Sequence, residues 1–192
     1  MSRSGQGMLG PGLATLALGA GVTAVTLLSL VQDNPNFVRT QLSALLAMAL
    51  AAPALVLYPV STSARGKWRT SFWTAALCVY LQYFWWAVAI TYHLDFQAIA
   101  ARQGWVAYAN YAVTAIWSAD VALGFAPSGG RLLGRVIRPF AWVAVAASFI
   151  GATAVFRDGA AAATGWVLLL ALVISLAARA CGYRLWPVEA SP

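Results

Sequence analysis

Runs of about twenty apolar residues recur along this 192-residue chain, and its charged residues fall almost entirely between them. That pattern constrains the fold more than any motif. The hydrocarbon core of a bilayer is about 30 Å thick, so a helix rising 1.5 Å per residue needs about 20 predominantly apolar residues to cross it. Six such runs are read, at residues 10–31, 41–61, 71–92, 105–125, 138–156 and 160–180. Only 9% of residues are charged, against roughly 25% in a soluble domain. The expected fold is therefore an all-α integral membrane protein, a six-helix transmembrane bundle over residues 10–180. Residues 1–9 and 181–192 are expected as short cytoplasmic flanks.

Orientation follows from Lys and Arg in the short loops, which are retained on the cytoplasmic side more readily than they are translocated. Arg3, Arg65, Lys67, Arg69, Arg131, Arg135, Arg138, Arg179 and Arg184 fall on one side of a six-span arrangement, nine basic residues against three. The three on the other side, Arg39, Arg102 and Arg157, are each accompanied by an acid, Asp33, Asp95 or Asp158. Both termini are thus expected in the cytoplasm, with the chain in the inner, or plasma, membrane. The net charge of +7 needs no nucleic-acid partner, because a basic cytoplasmic face also attracts anionic headgroups. The lipid bilayer is the expected partner, together with other membrane-protein chains or a second copy of this one.

The first run is longer than the 7–15 residues of a signal h-region, and no small-residue cleavage site follows Val31, so it reads as a retained helix. Its Gly10, Gly12, Gly19 and Gly21 suit the close approach of a neighbouring helix. Pro53 and Pro59, within and near the end of the second run, each remove a backbone hydrogen bond. The two sets of three runs show no internal repeat, leaving inverted-repeat transporters without support in the sequence.

Counting excludes most catalytic and cofactor chemistry. The single histidine, His93, cannot provide two axial imidazoles for haem, and no carboxylate cluster completes a zinc or copper site. Cys78 and Cys181 fall in different parts of the fold and form no CxxC pair; Cys78 reads as a small buried hydrophobe. The segment WVAYANYAVT, residues 105–114, resembles the aromatic, acid-bearing third helix of microbial rhodopsins, with Asn110 where an acid often lies. That resemblance covers one helix. A retinal Schiff base requires a lysine in the last helix, whereas the sole lysine, Lys67, lies in a loop. No cofactor and no metal are expected.

The third and fourth runs carry the candidate site. At 100° per residue, Gln82, Trp86, Ala89 and His93 share one face of the third, and Asn110, Thr114, Trp117 and Val121 one face of the fourth. If the two pack as antiparallel neighbours, Gln82, Asn110 and Thr114 line a ligand-binding cleft walled by Trp86 and Trp117. Trp85, Trp86 and Trp117 lie deeper than an interfacial aromatic belt explains, whereas Trp68, Trp73, Tyr92, Trp105 and Trp186 fit such a belt. Asp120 is the one acid inside a run, a candidate proton or ion site because a carboxylate in hydrocarbon is costly. The alternative is an ion pair with Arg131, Arg135 or Arg69. His93 and Asp95 are expected as an exposed pair on the outer loop.

Three functions are consistent with these residues. The first is a non-catalytic subunit or assembly partner of a larger membrane complex. The second is a carrier or channel for a small apolar, aromatic or proton-coupled ligand through the cleft. The third is a membrane enzyme acting on a lipid or isoprenoid, which needs an acid–base pair that Asp120 alone does not supply.

Overall fold

A computed structural model describes residues 6–60, 66–126, 131–155 and 159–183, and among these the chain is helical with no strand. The outer parts of the two expected flanks, Arg65 and the Arg157–Asp158 pair lie outside the described residues. The helices are α1 (Gln6–Leu30), α2 (Pro35–Leu57), α3 (Gly66–Trp85), α4 (Phe96–Gln103), α5 (Trp105–Phe125), α6 (Arg131–Ile150) and α7 (Gly159–Ala180). α3 and α6 each continue in wider π-helical turns, Trp86–Thr91 and Gly151–Val155.

Capping explains where several elements begin. Asn34 accepts a hydrogen bond from the Phe37 amide (3.2 Å) and Pro35 occupies the first turn, so α2 starts six residues before the apolar run does. Asp95 caps α4 in the same way, accepting from the Ala98 amide at 2.9 Å. The segment expected as a plain loop thus contains a short helix, entered through left-handed backbone at His93 (φ 51°) and Leu94 (φ 64°). His93 and Asp95 are both exposed, and Asp95 acts as a helix cap rather than as a partner for the imidazole.

Among the described residues, five helices are long and apolar enough to cross a membrane: Pro11–Leu30, Pro35–Leu57, Trp68–Thr91, Leu132–Val155 and Gly159–Ala180. This is a helical membrane protein. α5 has the length, 21 residues, but its Asn110, Asp120, tryptophans and tyrosines keep it out of that set; apolarity supports five spans where six were expected. Leu16 and Leu27 of α1, Phe140 and Val143 of α6, and Val167 and Leu170 of α7 are exposed, as side chains that face lipid are.

The helices form two sets of three. α1, α2 and α3 pack against one another, α5 and α7 pack on α6 and its π-helical end, and the sets meet along a seam where α3 touches α5 and α2 touches α6 and α7. α3 and α5 are therefore neighbours, but the principal neighbour of α3 is α2 and that of α5 is α6. Ala51 and Leu55 of α2, Val79 and Tyr80 of α3, Trp117 of α5 and Val145 of α6 meet in the main core. At Gly165 of α7 a side chain would stand 2.6 Å from the Ala154 backbone nitrogen, so only glycine lets α7 lie this close to α6's end. Cys78, expected to be buried, is exposed in a groove between α1 and α3 that Pro11, Ala14, Thr15 and Leu18 of α1 line from the other side, so the two helices do not close on each other at that level.

The long helices alternate in direction. One end of the bundle, the arginine end, gathers Arg69, Arg135, Arg138 and Arg179; the other, the α4 end, has Arg39 and Arg102 with Asp33 and Asp95. At the arginine end Pro59 cannot donate to the Leu55 carbonyl. The indole N–H of Trp142 on α6 donates to it instead at 2.9 Å, and the Ser175 hydroxyl of α7 donates to the Val56 carbonyl. The C-terminus of α2 is thus completed by side chains from across the seam.

Candidate functional site

Side chains from three helices, α3, α5 and α6, close the middle of the seam. The Trp117 ring is fully buried, 4.8 Å from Trp73, 5.4 Å from Tyr80 and 6.0 Å from Phe149 between centroids. Tyr80 in turn meets Tyr83 at 5.4 Å and Phe149 edge-on at 6.2 Å. Such tilted and edge-on contacts each add about 0.5–1.5 kcal/mol beyond area burial, so these rings form a rigid plug across the bundle.

On the α4 side of the plug lies a cavity of about 540 Å³, lined by Tyr80, Tyr83, Asn110, Val113, Ser148 and Phe149 among others. A smaller one of about 260 Å³, between α2 and the end of α6, shares Tyr83 and Phe149 as its wall. The lining is mainly apolar and aromatic with a few polar groups. The Thr114 hydroxyl donates to the Asn110 carbonyl at 2.7 Å, a bond within α5 that leaves the Asn110 side-chain amide free of it.

On the arginine side of the plug is Asp120, only 2% exposed. Its Oδ1 accepts from Arg138 Nε at 3.1 Å and its Oδ2 from the Trp73 indole N–H at 2.9 Å. Those contacts hold α3, α5 and α6 together at one carboxylate. The same group lines a small cleft of about 30 Å³, room for a water molecule or two, with Tyr58, Arg69, Thr70, Thr74 and Trp142. Arg69 reaches it from α3, with its guanidinium 5.2 Å over the Tyr58 ring. Among the described residues, no histidine and no second acid lines the cleft, so the described side chains offer charge pairing and anion contacts but no acid–base pair.

The residues singled out in the sequence divide into two groups. Asn110 lines the larger cavity, Thr114 lies beside it on α5, and Trp117 forms the plug. Gln82, Trp85 and Trp86 are elsewhere. Gln82 lines neither of the two cavities, and Trp85 is 58% exposed. Trp86 sits under the Arg39 guanidinium at 5.1 Å, and Arg39 Nε donates to the Ser29 hydroxyl at 2.7 Å. The helix widens to π from Trp86 onward, so a face extrapolated at 100° per residue does not continue past that point. The Asp120 partner is Arg138, one turn deeper into α6 than Arg135, and Trp73 is a hydrogen-bond donor to Asp120 rather than a belt residue.

Tyr80, Phe149, Arg138 and Trp142 were not singled out. A signal existed: Trp73 and Tyr80 on α3, and Trp142 and Phe149 on α6, are seven residues apart and so share a face. Among the described residues, no group of three or more His, Cys, Asp or Glu side chains comes together to hold a metal ion. Compared with known proteins, the chain matches no protein-family model, no curated protein and no solved structure.

Proposed function

We propose that this chain is a six-crossing inner-membrane protein that accepts a small apolar or aromatic molecule in the seam between its two helix sets. The observation that carries the reading is the mainly apolar cavity of about 540 Å³ ending on the Trp117 plug. Small-molecule sites have this size and this mix of apolar walls with few polar groups. The plug then separates two ends of one pathway, and the Asp120–Arg138 pair braces its far side, giving a carrier two elements whose rearrangement opens either end.

The sixth crossing in this reading is α5. Its Trp117 and Asp120 are buried against α3 and α6 rather than turned to lipid, which removes much of the cost that its sequence implies. In this reading the arginine end is the cytoplasmic one by the charge rule, and the start of α1 and the end of α7 are on that side. In a Cys78→Ser variant, a membrane-impermeant maleimide should label Cys181 in inverted vesicles and not in intact cells; the reverse pattern sinks this orientation.

Ligand uptake is tested with the purified full chain in detergent, titrated with toluene, naphthalene and 2-naphthol and read by tryptophan fluorescence. Saturable binding is expected for at least one of them, lost when Ala109→Trp fills the cavity and kept in Trp85→Ala. Non-saturable partitioning for all three, or unchanged binding in Ala109→Trp, refutes the reading. A second role, assembly with another membrane chain, is favoured by α1, where Gly12, Gly19 and Thr23 form an exposed strip of small side chains suited to a neighbouring helix. Native mass spectrometry after mild solubilisation tests it, and a lone protomer in every preparation rejects it.

A further inference from the structure

The cleft at the arginine end carries two guanidinium groups and one carboxylate. Asp120 is engaged with Arg138 and Trp73, and Arg69, which lines the same cleft over the Tyr58 ring, makes no ion pair among the described residues. Two guanidinium charges therefore share one carboxylate, an excess of one positive charge in the cleft. Arg138 is 37% exposed, and its Nη2 lies 3.7 Å from where a side chain at Gly124 would begin, so no side chain from α5 covers it there. Thr74, also in the lining, has a buried hydroxyl without a hydrogen-bond partner, and Thr70 beside it is exposed.

From the joint placement of Arg69, Arg138 and Thr74 around this opening, we infer that the cleft mouth is a binding site for a phosphate group. Guanidinium forks match phosphate oxygens geometrically. The spare positive charge supplies affinity, and the buried Thr74 hydroxyl, below the mouth, donates through a water in the cleft. The cleft interior has room for no more than a water molecule or two, so the phosphate sits at the mouth, bridging the two arginines, with Asp120 setting the position of Arg138 behind it. At this depth the group can come from an anionic lipid headgroup or from free phosphate. The inference is independent of ligand uptake on the far side of the plug and stands or falls separately.

The test uses the full chain in detergent with two probes, dioleoylphosphatidylglycerol read by native mass spectrometry and sodium phosphate as its competitor. Arg69→Gln should lower lipid retention about tenfold, as expected for losing a charged hydrogen-bond partner. Arg135→Gln, which removes the same charge from an exposed position outside the cleft, should change it less than about twofold. Asp120→Asn should raise retention, because it removes the opposing charge, whereas a purely structural role for the acid predicts a fall. Displacement of the lipid by millimolar phosphate identifies free phosphate as a ligand, and resistance identifies the headgroup. Equal losses in Arg69→Gln and Arg135→Gln, or a fall in Asp120→Asn while that variant remains folded at the assay temperature, overturns the proposal.

Discussion

Replacing Trp142 by Phe isolates one contact across the seam. The ring volume and much of the stacking on Tyr58, 5.6 Å between centroids, are kept, while the indole N–H is lost. The Leu55 carbonyl then has no donor. Pro59 supplies none, and Leu55 is 0% exposed, so water does not reach it readily. An unsatisfied buried carbonyl costs about 1–3 kcal/mol, and hydrogen bonds in membrane proteins fall toward the lower part of that scale. About 1.5 kcal/mol is expected. The decisive variant is Pro59→Ala, which returns a backbone N–H one turn after Leu55; in that background Trp142→Phe should cost only about 0.5 kcal/mol. The coupling of about 1 kcal/mol is measurable by a double-mutant cycle, with unfolding followed by circular dichroism as the SDS fraction of mixed micelles is raised. An equal cost in both backgrounds would falsify the idea that Trp142 substitutes for the donor that proline lacks.

Other perturbations have expected outcomes on the same assay. Asp120→Ala should destabilise by about 2 kcal/mol, less than a fully buried pair because Arg138 can turn toward solvent, and Asp120→Asn by about half as much since it keeps an acceptor. Gly165→Ala should cost about 1–3 kcal/mol by overpacking against Ala154, whereas Gly19→Ala, with open space around it, should be neutral or slightly stabilising through helix propensity. Trp117→Ala should cost about 3–5 kcal/mol by opening the plug. Trp117→Phe should cost clearly less, because the Trp117 indole N–H is buried without a partner and nothing is lost with it.

Much of the architecture was legible in residue order. Run length and charge position located α1, α3 and α7 to within a few residues or turns, because bilayer thickness dictates helix length whatever the tertiary contacts are. The starts of α2 and α6 were misplaced by six and seven residues, since their first turns carry Asn36, Arg39, Arg131 and Arg135 and so do not read as apolar, although caps and charged first turns at a membrane edge extend helices beyond the hydrocarbon. The division of basic residues between the two ends also emerges from the sequence by itself, as a consequence of alternating helix direction.

The faces were decided only by tertiary structure. A soluble helix advertises its core-facing side through amphipathicity, but a membrane helix is apolar toward lipid and toward its neighbours alike, so periodicity carries little information about which side is buried. Trp86 and Trp117 look equivalent as deep tryptophans; one stacks under Arg39 against α2 and the other closes the seam. Asp120 announced itself as an acid in a span, yet the choice of Arg138 and Trp73 as its partners required α3, α5 and α6 to meet at one point. Length and charge are local properties of the chain, whereas the cavity, the plug and the ion pair exist only where separate helices converge.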